Sequence, residues 1–240
     1  MRDRLFWFSG ILGVGALAMT AMLTFIGPRQ TGPLPPGFIT PIMAFEFIDS
    51  PAEVSALFET PAMVAAMDRV NRWDFLYMAL YASFLGVFAL ACARQTGQRF
   101  YYVPAILAAI ILLADALENV HLLAITRVVS EADFAPSLSR LSPLLNRLRL
   151  FTWLKWGSLA LYFLLMVAYF RQLPGRWRNV WLVALLPAVL AVAALFRRGL
   201  PNELMALSIG LMFLILTIYA LRVGSEGERA QGRRGAGAQG

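Results

Sequence analysis

Asp115, Glu118 and Asn119 stand in an otherwise apolar run from Tyr101 to Ile125, and the chain's only histidine, His121, follows closely. At 3.6 residues per turn the first three fall at i, i+3 and i+4, on one helix face that His121 flanks. An ionised carboxylate at mid-bilayer costs roughly 2.5–3.5 kcal/mol even on the permissive insertion scale. Two of them need partners, water or protons, and such a place can move a proton, handle an ion or grip a polar head group.

The rest of the chain is built to carry such a face into a membrane. Of 240 residues 59% are hydrophobic and only 15% charged, where a soluble domain carries about 25%. The apolar residues come in long uncharged blocks without the alternation of barrel strands, so the fold class is all-α: an integral membrane helical bundle. Six transmembrane spans are expected, at about 5–26, 74–93, 101–126, 150–170, 180–196 and 204–221. The first ends in Gly27-Pro28-Arg29 rather than in a small-residue cleavage site, and is read as retained. Pro187 interrupts the fifth. Residues 127–148 are read as a loop, with Ser142-Pro143 opening the fourth span. Residues 1–223 make one transmembrane domain, and 224–240, rich in Gly, Arg, Gln and Ala, are read as a disordered basic tail.

Between spans one and two, Gly32 to Gly37 forms a helix-breaking turn. Thr40-Pro41, Ser50-Pro51 and Thr60-Pro61 each set an N-cap hydroxyl before a first-turn proline. They predict short helices at about 41–48, 51–59 and 61–72, the last free to run on into the second span, as a helical cap over 40–72 that lies on the membrane or covers the bundle. Ser50 and Glu53 have capping-box spacing.

The net charge of +7 comes from 20 arginines and one lysine, Lys155. The arginines flank apolar blocks, which suits anchoring in a bilayer and gives no basic face for nucleic acid. With both termini inside, 11 arginines lie inside and nine outside, an arrangement that favours cytoplasmic termini in a bacterial inner membrane. Cys92 has no partner for an internal disulfide.

Helical rise converts spacing into depth. Measured from the arginines that end the connection between spans three and four, Glu118 lies about 13 Å deep, His121 and Lys155 about 9 Å, and Asp115 about 18 Å. Lys155 can therefore meet Glu118 or His121. Asp74 opens the second span on the same side, followed by Tyr77 and Tyr81, and Glu46 lies in the cap above. Glu46, Asp74, Tyr77, Tyr81, Asp115, Glu118, Asn119, His121 and Lys155 are thus candidates for one polar pocket. Each also has a plain structural use: Lys155 in a register-fixing ion pair, Asp74 as a helix start, the tyrosines and Trp156 as interface markers, Asn119 as an interhelical link. One histidine and one cysteine disfavour zinc, no phosphate-binding glycine loop occurs, and no cofactor or metal is expected.

Phe45-Glu46-Phe47, Asp74-Phe-Leu-Tyr77 with Tyr81, and Asp115-x-x-Glu118-Asn119 resemble a set that recurs in uncharacterised bacterial multi-span membrane proteins. The resemblance covers roughly residues 40 to 125 and implies one shared site, not an activity. Three functions stay open: a pocket for a small amphipathic or lipid-like molecule, a proton- or cation-coupled transporter, and a non-catalytic structural subunit of the bilayer. Whether binding leads to chemistry is open as well.

Overall fold

Long apolar blocks become long helices because lipid offers the backbone no hydrogen bonds. The structure, a computed structural model, describes residues 2–134 and 138–237. Its helices are α1 (Arg2–Ile26), α2 (Pro41–Glu46), α3 (Pro51–Leu57), α4 (Pro61–Thr96), α5 (Tyr102–Glu131), α6 (Leu138–Arg171), α7 (Val180–Phe196) and α8 (Leu200–Gly237). Six of them, all but α2 and α3, are long and apolar enough to cross a membrane. They pack in a closed ring in chain order, α8 returning to α1. One end of the ring carries both termini and the other carries the segment between α1 and α4, here called the cap end. Phe8, Ile106, Val120, Val189, Leu207 and Ile218 face outward and exposed, as a lipid-facing surface requires.

Of the two courses open to the third cap helix, one is realised, and two boundaries differ from the sequence reading. The third cap helix and the second span are one helix, α4, whose charged Asp68, Arg69 and Arg72 extend beyond the apolar block. Most of 127–148 is helix and not loop: α5 continues to Glu131, and α6 is already helical at Leu138, with Pro143 inside it. These projecting ends are held by burial. Leu141, Leu145 and Leu148 of α6, with Ile125 and Val129 of α5, close over Phe45, Val54, Leu57 and Phe58 of the cap. Burying such a side chain from water stabilises by about 1.5–3 kcal/mol. Finally, α8 is helical through Gly237, past the boundary expected at residue 223, with Arg222 and Glu226 paired one turn apart at 3.2 Å. Residues 238–240 of the expected tail lie outside the described residues.

Capping chemistry holds in two of the three predicted places. The Ser50 hydroxyl accepts from Glu53 N–H and Thr60 accepts from Met63 N–H. Glu53 reaches back to the N–H of Asp49 rather than of Ser50. Thr40 precedes α2 as expected but caps nothing. Glu203, at the start of α8, takes the Thr40 N–H at 2.8 Å, the Ile39 N–H at 2.9 Å and the Thr40 hydroxyl instead. Arg198, before α8, donates to Phe47 O at 3.0 Å and pairs with Glu53. These bonds pin the cap to the turn between α7 and α8. There Gly199, at φ +106°, lies so close to Gly37 that an added Cβ would press on the Pro36 carbonyl.

Candidate functional site

Four helices bring one charged side chain or more each to the inside of the ring, just below the cap. Glu46 is the last residue of α2, and its main-chain carbonyl accepts from Thr152 Oγ1 at 3.1 Å. Its carboxylate accepts from Lys155 Nζ at 3.0 Å and Trp156 Nε1 at 2.9 Å. Thr152, Lys155 and Trp156 fall at i, i+3 and i+4 on α6, so one face of that helix receives the whole of Glu46. Lys155 Nζ also lies 3.3 Å from Asp115 Oδ1 and pairs with Glu118. Three carboxylates thus lie within ion-pair distance of one ammonium, which sits 5.0 Å from the centre of the Trp156 ring. Lys155, Asp115 and Glu118 are all buried.

The second half of the cluster belongs to α4. Tyr81 donates its hydroxyl to Asp115 Oδ2. Asn119 Nδ2 donates to Asp74 Oδ2 at 2.6 Å and approaches the main-chain carbonyl of Asn71 at 3.4 Å. Asp74 is half-buried, and Asn119 is its only hydrogen-bond partner among the described residues. The Tyr77 ring lies 5.0 Å from that of Tyr81, and its hydroxyl is 3.1 Å from that of Thr20 on α1. Four carboxylates thus stand around one lysine. In apolar surroundings such a surplus is balanced by shared protons or by a positive partner.

Eight of the nine expected site residues come together. The exception is His121, which lies about 120° round α5 from Asp115. It turns outward over the Phe151 ring at 5.2 Å and donates from Nδ1 to the Leu117 carbonyl of its own helix at 2.7 Å. Lys155 accordingly meets Glu118, together with Asp115 and Glu46, and not His121.

Beside the cluster is a cavity of about 390 Å³ between α1, α2, α4, α5, α6 and α8. Leu23, Ile42, Met43, Val70, Leu159, Ile209 and Phe213 give it apolar walls, and Asp74, Asp115, Asn119, Lys155 and Glu46 form its polar side. Thr20, Thr24 and Arg29 belong to its lining and are exposed, which places an opening beside the cap end of α1. Gly210 of α8 also lines it, and a Cβ built there meets nothing within 4 Å. A separate groove of about 300 Å³ lies on the outer side of Glu46, between Asp49, Arg149, Trp153, Phe196 and Arg198.

Two site residues escape a reading by spans. Trp156 reads as an interface marker, yet its indole N–H is one of the two donors to Glu46. Asn71 reads as part of a surface helix, yet it is 3% exposed, lines the cavity and leaves its Nδ2 without a hydrogen-bond partner. Asn71, Asp74, Tyr77 and Tyr81 repeat at intervals of three, three and four, and that spacing is the signal that α4 carries one long polar face. Among the described residues no group of three or more His, Cys, Asp or Glu side chains has an arrangement that could hold a metal ion; Lys155 occupies the place between the acids. Comparison with known proteins adds no relative: no family model, no curated protein and no solved structure matches this chain.

Proposed function

We propose that this multi-pass membrane protein binds a small amphipathic or lipid-like molecule in the cavity between α1 and α8, with the polar head against the Asp74–Asn119–Asp115 side. The observation that carries this reading is the composition of the wall. A space of about 390 Å³ is apolar except on one side, where acids and an amide meet. Ligand sites commonly combine a largely apolar enclosure of this size with a few convergent polar groups. The exposed threonines beside α1 suit entry from the bilayer. We further place the protein in a bacterial inner membrane with cytoplasmic termini and the cap end outside, as the arginine distribution favours.

Native mass spectrometry of the protein released from mild detergent tests the reading. A bound amphiphile should accompany the wild-type chain and be lost from Gly210→Phe, whose ring enters the cavity from α8 without touching the acids. No adduct on the wild-type chain, or an adduct unchanged in the filled variant, overturns it.

A second reading, proton- or cation-coupled transport, is favoured by one feature. Glu46 lines both the polar side of the cavity and the outer groove, so its carboxylate lies between the two spaces. Uptake into proteoliposomes that depends on a pH gradient and disappears in Glu46→Gln would select this reading.

A further inference from the structure

Resting on the reading that the cavity holds an amphiphile, we infer that the head group of that molecule is an ammonium, so that the ligand class is long-chain amines or amino alcohols and not carboxylate or phosphate lipids. Three observations carry this. First, the one lysine on this wall already faces three carboxylates. Glu46, Asp115 and Glu118 surround its ammonium, and Glu46 also takes the Trp156 N–H. Second, Asp74 is the acid of the cluster that lies outside the Lys155 contacts, and it stands half-buried on the cavity wall with one hydrogen bond, from Asn119. It offers a carboxyl acceptor to whatever enters. Third, the buried Asn71 amide nitrogen, one turn before Asp74 on α4, is an unpartnered donor on the same wall. An ammonium meets Asp74, and a hydroxyl on the neighbouring carbon meets Asn71.

An anionic head would find repulsion instead. Asp74, Asp115 and Glu46 all line the space beside Lys155. The other cation of the lining, Arg29, is exposed at the rim with its guanidinium 5.4 Å from the Phe25 ring. An anion held there would leave the polar wall below unanswered. A cationic head also answers the excess of carboxylates over the single lysine, since a buried charge is stable only when paired.

Three probes of equal chain length separate the possibilities: decylamine, decanol and decanoate. Binding is read from tryptophan fluorescence of the full chain in neutral-lipid nanodiscs, with empty nanodiscs subtracted. Decylamine should bind about tenfold tighter than decanol or more, as a charge-assisted hydrogen bond would give, and decanoate should bind worst. In Asp74→Asn the amine should fall to the level of the alcohol. Equal or tighter binding of decanol or decanoate overturns the ammonium head group and leaves the amphiphile cavity standing. Saturable binding of none of the three overturns both. The ranking on the wild-type chain decides the matter even if Asp74→Asn fails to fold.

Discussion

At the end of the ring that carries both termini, Phe6, Phe84, Phe88, Tyr169 and Tyr219 close the interior, mostly edge to face. Centroid distances run from 5.6 Å for Phe6–Phe88 to 6.4 Å for Phe84–Phe88. Polar atoms there are answered locally: the Tyr169 and Tyr219 hydroxyls lie 2.7 Å apart, and Tyr169 also donates to Gln95. At the cap end, helices of the same ring together with α2 enclose charge, a cavity and an unpartnered amide. The contrast separates what holds a helical membrane protein together from what it keeps for use. In lipid, helices gain nothing from leaving water and depend on close packing. Edge-to-face ring pairs, each worth about 0.5–1.5 kcal/mol beyond their area, supply that packing. A bundle so closed at one end can carry an expensive arrangement at the other.

The largest expected effects test the two halves separately. Lys155→Met leaves three carboxylates facing an apolar side chain, and breaking a buried pair costs about 3–5 kcal/mol. Unfolding in mixed detergent should show a loss of that size. Glu118→Gln on the same background should restore only part of it, because Glu46 and Asp115 remain stranded. An unchanged midpoint for Lys155→Met would mean that the cluster contributes nothing to stability. Phe88→Ala at the closed end should cost a similar amount, about 3–5 kcal/mol for an emptied aromatic site. It should leave ligand binding intact once the protein is folded.

A matched pair of glycines sharpens the contrast with a smaller effect. A Cβ at Gly13 would press on Thr217 Oγ1 and lie 3.0 Å from the Phe84 ring, while one at Gly210 meets open space. Gly13→Ala should therefore lose about 1–3 kcal/mol to overpacking. Gly210→Ala should gain up to about 1 kcal/mol from helix propensity. Losses of equal size at both sites would show that the cap-end space does not exist in the folded protein.

The smallest expected effect lies outside both interiors. Arg149 pairs with Asp49 at the cap surface with both side chains about half exposed, and such pairs contribute about 0–1 kcal/mol. Arg149→Ala should shift thermal stability little, and less at high salt. A loss as large as that of Lys155→Met would show that the cap, not the buried cluster, holds the two halves together.

The spans and most of the site were legible in the sequence for one reason: lipid permits few exceptions. Asp115, Glu118, Asn119 and Lys155 stand out because charge inside an apolar block must be answered, and depth along a helix follows from residue count. Legibility fails where a residue's role depends on which way a helix turns toward its neighbours. His121 shares the depth of Lys155 but faces Phe151. Asn71 sits among the charges of a helix end that resembles a surface segment until α5 covers it. Thr40 has a cap's sequence, but a carboxylate from Glu203, 163 residues later, takes its hydrogens. The extension of α5 to Glu131 and the helical course of α6 from Leu138 accompany a cap core to which α2 to α6 all contribute, which no local pattern announces.

The most direct test of the account is a density map of the protein purified in mild detergent without added ligand. The account predicts elongated density between α1 and α8, ending within hydrogen-bond distance of Asp74 and Asn71, with Lys155 still held by Glu46, Asp115 and Glu118. A cavity closed by inward movement of α1, or one holding only ordered water around Asp74, would contradict it.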